Sequence, residues 1–157
     1  MRHDFRVVAL ARERFAHLFG MSDVELAALG ARRLSVDENP GYPCRISLAD
    51  AEVGERVILV PFRHHDVKSP YQAQGPVFVR ESAATAEPAV NEVPAMLRHR
   101  LLSVRAYDGG AMMKGAAVCE GKALEQTIRE FLADPDIAYL HVHNARPGCF
   151  NCEVRRA

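Results

Sequence analysis

M-M-K-G-A-A-V-C-E-G-K-A-L-E-Q-T-I-R-E-F-L-A-D-P-D-I-A-Y-L-H-V-H-N, residues 112–144, is the stretch from which the architecture is read. Met112 to Cys119 reads as a strand. Lys122 to Ala133 is the strongest helical segment of the chain. Its Leu124, Ile128, Phe131 and Leu132 form one apolar stripe, and Glu125 precedes Arg129 by the four residues at which opposite charges meet on a helix surface. Asp134-Pro135 stops the helix, because a residue before proline is pushed out of the helical region. Ile137 to His143 mixes β-branched and aromatic residues, as strands do. Strand, crossover helix and parallel strand together make a β-α-β unit. Such units place ligands beyond the carboxyl ends of their strands, here Cys119-Glu120-Gly121 and His143-Asn144. If the two strands lie side by side, Cys119 and Glu120 approach the histidines.

Immediately downstream, Tyr139 to Glu153 reads Y-L-H-V-H-N-A-R-P-G-C-F-N-C-E and gathers the most reactive side chains of the sequence. Side chains alternate faces along a strand, so Tyr139, His141 and His143 share one face while Leu140 and Val142 take the other. Arg146-Pro147-Gly148 reverses the chain, and Cys152 to Arg155 returns as the partner strand of a hairpin. A loop of two or four residues puts Cys152 on the histidine face, and an odd loop swaps Cys149 and Cys152. A site using both histidines and both cysteines requires Cys149 in irregular backbone.

Working back toward the amino terminus, Leu101 to Tyr107 pairs with Met112 to Cys119 around Asp108-Gly109-Gly110, a hairpin signal. Asn91 is placed to cap a short helix over Glu92 to His99. Strands are expected over Phe5 to Ala9, Arg32 to Val36, Arg45 to Leu48, Arg56 to Phe62 and Pro76 to Glu81. Arg56 to Phe62 is apolar on both faces, as a central strand is, with Pro61 near its end. Arg63-His64-His65-Asp66 reads as exposed polar loop. Helices are expected over Glu13 to Phe19 and from Ser22 to Leu29; Ser22 with Glu25 is a capping box and Gly30 ends the second. The expected fold is therefore a single α+β domain over residues 1–157. It has a mixed, mostly antiparallel sheet, about four helices and one C-terminal β-α-β unit.

The 157 residues are 48% hydrophobic and 25% charged, ordinary for a globular protein large enough to bury a core. Twenty basic and twenty acidic residues cancel, which argues against a general nucleic-acid binder. No apolar run reaches membrane-spanning length. Arg2, Asp4, Arg6, Arg12, Glu13 and Arg14 interrupt any leader-like apolar stretch, so the expectation is a cytoplasmic protein. There, Cys44, Cys119, Cys149 and Cys152 are expected as thiols, metal ligands or redox groups rather than structural disulfides.

Imidazole and thiolate suit zinc, so the sharpest functional reading is a metal site of His141, His143, Cys149 and Cys152. The same histidines and cysteines are the candidates for catalytic roles, a thiol beside a base with Asn144 or Glu120 as orienter. A pocket for a small anionic ligand is the companion reading, drawing on Asn144, Arg146, Cys44, Arg45, Glu120 and Tyr71, since the arginine fork matches carboxylate and phosphate. Two alternatives stand beside these: an interaction or assembly module whose histidines and cysteines are structural, and a thiol redox protein cycling Cys149 and Cys152. The sequence contains no Gly-rich phosphate loop, G-x-S-x-G or H-E-x-x-H.

Four stretches carry a resemblance: G-Y-P-C-R-I-S-L-A-D-A-E-V-G-E from Gly41, S-P-Y-Q-A-Q-G-P-V-F-V-R-E from Ser69, R-L-L-S-V-R-A-Y-D from Arg100, and H-V-H-N-A-R-P-G-C-F-N-C from His141. In these the chain resembles an uncharacterised bacterial family, domain of unknown function 1203. The resemblance runs from about Phe5 to the end and implies a single-domain protein without assigning activity, substrate or cofactor.

Overall fold

The computed structural model describes residues 3–157. Among them are eight strands and four α-helices. The strands are β1 (Phe5–Val8), β2 (Arg32–Ser35), β3 (Arg56–His65), β4 (Ala73–Arg80), β5 (Leu101–Tyr107), β6 (Met113–Glu120), β7 (Tyr139–Asn144) and β8 (Phe150–Arg156). The helices are α1 (Ala16–Phe19), α2 (Asp23–Ala28), α3 (Ala95–Arg98) and α4 (Leu124–Leu132). The strands form two sheets, one in the order β1-β8-β7-β5-β6 and one in the order β2-β3-β4. Every named strand pair is antiparallel. No helix of the described residues is long and apolar enough to cross a membrane. The α+β class is the one expected.

The strongest local signals form as read. Ser22 and Glu25 make both bonds of the capping box at the start of α2, and Gly30 beyond it has φ 75°. Asp108 Oδ1 accepts from the amides of Gly110 and Met112 in the β5–β6 turn. On α4, Glu125 meets Arg129 at 3.0 Å. The same helix buries Leu124, Ile128 and Leu132 against Leu102, Val104, Leu140, Val142 and Val154 of the five-stranded sheet. Each such burial contributes roughly 1.5–3 kcal/mol.

Tertiary structure overrides four local expectations. In the β6-α4-β7 unit, β5 lies between the two outer strands, so β6 and β7 run the same way without touching. The segment Arg45 to Leu48 is a turn, not a strand. Its Leu48 amide bonds back to Cys44 O at 3.0 Å, and Leu48 has φ 52°. Asn91, with φ 65°, caps no helix: its Oδ1 accepts from Phe5 N and its own amide donates to Phe5 O, so it closes the end of β1. Helix α3 is left as one turn following Pro94. Finally, β3 continues past Phe62 to His65, and Pro61 sits inside it, opposite Pro76. That position is open to proline because β2 pairs only as far as Leu59, leaving no ladder bond for Pro61 to donate.

The opposite face of the five-stranded sheet is covered by the three-stranded one. Phe150 of β8 joins Ile58, Val60, Val77 and Val79 in a second apolar cluster. Beside it, the rings of His64 and His65 lie against that of His141. At the sheet edge, Gly121 packs so closely on α3 that a Cβ there would sit 1.9 Å from Leu97 O. Gly121→Ala should therefore cost more than about 3 kcal/mol, as overpacking against backbone does. Gly20→Ala, with nothing within 4 Å, should change stability by well under 1 kcal/mol. Urea unfolding of the two variants checks the contrast.

Candidate functional site

The geometry of β7 follows from strand alternation. Its six residues are all buried, with Leu140 and Val142 in the helix-side core and Tyr139, His141 and His143 on the other face. Cross-strand partners extend that second face: Arg105 lies opposite His141, Ser103 opposite His143 and Tyr107 opposite Tyr139. On β8, Glu153 is the partner of His141 and Phe150 that of His143. Over this face leans the end of β3. A register shift between Phe62 and His65 frees the strand from strict alternation, and adjacent residues His64 and His65 both reach the histidine face.

His64, His141 and His143 form the centre of the site. One ring nitrogen from each lies within 4.8 Å of those of the other two. The His64 ring stacks on Phe150 at 5.3 Å and 5°, and meets His143 edge-on at 5.0 Å. His141 and His143 are 2% and 1% exposed. The remaining hydrogen bonds define which nitrogens are spoken for. His143 Nδ1–H donates to Gly148 O at 2.9 Å, and His141 Nε2–H donates to Glu153 Oε1 at 3.3 Å. His143 Nε2, His141 Nδ1 and His64 Nδ1 are buried without any hydrogen-bond partner. An unpaired buried polar atom costs about 1–3 kcal/mol, so three on neighbouring rings is an unusual expense for packing alone.

Electrostatics keep these rings neutral. Burial pushes the His143 imidazole down to about 3, with the Arg105, His64 and His141 charges acting the same way and the Gly148 carbonyl opposing. Burial and the charges of His141, Arg105 and His65 push His64 down to about 4. His141 is also lowered by burial, partly offset by Glu153. For Glu153, burial would raise the carboxyl, but hydrogen bonds from His141 and Arg155 outweigh it and hold the group below its ordinary value. His65 differs from the three: its Nδ1 bonds Tyr71 O at 2.7 Å and its Nε2 bonds the Tyr139 hydroxyl at 2.6 Å. Burial pushes that phenol up to about 12, so Tyr139 remains a donor.

The four-residue set His141, His143, Cys149 and Cys152 does not come together. The register His143↔Phe150, continued without interruption, would place Cys152 opposite His141. A bulge at Asn151 instead sets Cys152 opposite Val142, and its thiol is sealed in the helix-side core, where burial pushes it up to about 12. Cys149 lies in the turn and points elsewhere, accepting from Asn144 Nδ2 at 3.3 Å. All four cysteines are free thiols.

Several residues of the expected ligand set meet in one cavity, apart from His141 and His143. Asn144, Arg146, Arg45, Glu120 and Cys149 line a cavity of about 680 Å³ at the edge of the sheet. Cys44 is fully buried, its sulfur accepting from the amides of Ser47 and Arg80. Tyr71 is apart from that cavity, half-exposed beside Tyr107. His64 is the site residue that the sequence reading left in a loop. The signal available was the absence of any Gly or Pro between Phe62 and Ser69, which lets the strand run on through the histidines.

A helix-backed antiparallel sheet, capped on its other face by a three-stranded sheet with a buried histidine cluster between, defines the class of protein. The chain belongs to the family described as "Protein of unknown function (DUF1203)", which matches residues 41–156. His64, His141, His143 and the whole edge cavity fall inside that span. No curated protein and no solved structure matches the chain.

Because His64 and His143 titrate lower when folded than the ordinary 6.5, the unfolded chain binds the extra protons. The stability held by the neutral rings is full above pH 6.5 and is lost as pH falls toward 4. At pH 4.5 the loss should be on the order of 2 kcal/mol for each of the two rings. Urea midpoints of chelator-treated protein at pH 7.5 and 4.5 should show this loss, and it should shrink by about half in His143→Gln.

Proposed function

We propose that this protein binds a divalent transition metal ion through His64, His141 and His143. The observation that carries the reading is the convergence of three neutral imidazoles, two buried and that of His64 half-buried, each with a buried ring nitrogen that has no hydrogen-bond partner. Neutral imidazole is the form that ligates, and it suits zinc, nickel, copper and iron. A tetrahedral ion with ligands at about 2.1 Å sets its donors roughly 3.4 Å apart. One nitrogen of each ring stands within 4.8 Å of those of the other two, so small side-chain rotations close the set.

The surroundings match what metal-ligating histidines have. Glu153 Oε1 accepts from Nε2–H of His141 and Gly148 O accepts from Nδ1–H of His143, which fixes each tautomer and leaves His141 Nδ1 and His143 Nε2 as the bare nitrogens. Three histidines leave a coordination position for water or a small molecule, the arrangement of catalytic rather than structural zinc. A cavity of about 250 Å³ lined by His64, His141, Glu153 and Arg14 lies beside the cluster. The cysteines take no part.

Chelator-treated protein titrated with zinc and with cobalt at pH 7.5 should take up one equivalent of either. His64→Ala and His143→Ala should each weaken binding by more than about 100-fold. Glu153→Gln should weaken it by about 10-fold, the usual effect of losing an outer partner. Cys149→Ser should bind as the unaltered protein does. No stoichiometric uptake, or uptake that survives the His64→Ala/His143→Ala double variant, would falsify the reading.

A further inference from the structure

The edge cavity is a second centre, built from residues that the histidine cluster does not use. Because β6 and β7 run the same way on either side of β5, their carboxyl ends, Glu120 and Asn144, open on the same edge of the sheet. The turn after β7 adds Arg146 and Cys149, and the turn after Pro43 adds Arg45. The resulting volume of about 680 Å³ lies in the range of small-molecule sites. Part of the wall is apolar, from Phe78, Leu101 and Pro147.

Its charge is unbalanced. Arg45, Arg100 and Arg146 face one glutamate, Glu120. Asp50 engages Arg100 through both oxygens, at 2.5 and 3.1 Å, which leaves Arg45 and Arg146. Arg45 is wholly buried; its Nε and Nη1 donate to the carbonyls of Phe150 and Pro43, and its guanidinium also hydrogen-bonds the Cys149 sulfur. Among the described residues no carboxylate lies within ion-pair distance of it. The groups beside it able to bear negative charge are the sulfurs of Cys149 and Cys44. A buried guanidinium without a counter-ion costs several kcal/mol. Its field emerges through the Cys149 wall into the cavity, where low-dielectric surroundings screen it poorly.

We infer that this cavity binds a small organic acid, a carboxylate or phosphate monoester, with its anionic group against Arg146 and the Cys149 wall in the field of Arg45. The apolar wall takes the body of the molecule. Arg45 acts by its charge and by holding the wall, not by direct contact, and Arg146 supplies the accessible fork.

Cys149 reports on this site directly. Alkylation forms a carbon–sulfur bond, expels iodide and gives the thiol proton to solvent, and its rate depends on the charge of the reagent. Cys119, partly exposed on β6, is the internal reference. In the native protein, with each cysteine followed by peptide mass spectrometry, the ratio of iodoacetate to iodoacetamide rates should be at least about five-fold higher at Cys149 than at Cys119. The difference should shrink in 0.5 M salt and in Arg146→Ala, whose side chain is exposed and whose loss should leave folding and metal uptake unchanged. Inorganic phosphate and benzoate are the two occupancy probes. Saturable protection of Cys149 but not Cys119 by phosphate supports a phosphate ester, and the same by benzoate supports a carboxylate. Equal reagent ratios at the two cysteines, or no protection by either anion, overturns the inference. Neither result bears on the histidine centre, whose metal uptake is read separately.

Discussion

Burial of β7 on both faces is the constraint on which the rest of the structure depends. A strand of six residues with no solvent-facing side must satisfy two environments at once, and alternation supplies them. Leu140 and Val142 complete an apolar core under α4. Tyr139, His141 and His143 become the floor beneath the three-stranded sheet. The apolar face anchors the strand, so the polar face is held rigidly without contributing hydrophobic energy of its own. Rigid support of that kind is what a metal or catalytic constellation requires.

The buried polar face is kept tolerable in two different ways. Around His65 the hydrogen bonds are complete: both ring nitrogens have partners, and the Tyr139 phenol stays protonated. Around His64, His141 and His143 they are incomplete: each ring keeps one buried nitrogen without a partner. The first arrangement accounts for itself as packing. The second leaves three buried ring nitrogens without a partner, each at a desolvation cost, and the proposed metal site rests on this contrast within one layer of rings.

Much of the framework was legible because its signals are local. The capping box at Ser22, the Asp108-Gly109-Gly110 turn and the stripe on α4 each depend on residues within a few positions of one another, and each forms as read. The shared face of His141 and His143 was legible for the same reason. The fate of the two nearby cysteines was not. One extra residue, Asn151, shifts the pairing and moves Cys152 to the other side of the sheet. No local pattern announces a bulge, because its energy comes from the packing of both faces rather than from the residue that is added. Arg45 was likewise read as a strand residue pointing at a ligand, whereas packing between the turn and β8 buries it entirely.

By itself, then, the sequence determined the α+β class, the principal turns and helices, and the pair of imidazoles on β7, since short-range sterics and side-chain periodicity are written into consecutive residues. Only the tertiary structure decided that β5 would lie between β6 and β7, that His64 would complete the histidine set, and that the arginines and Cys149 would form a separate cavity. Those outcomes depend on how two sheets stack and on where a register slips. They are long-range packing choices, and residues some 80 positions apart acquire their meaning only once they are made.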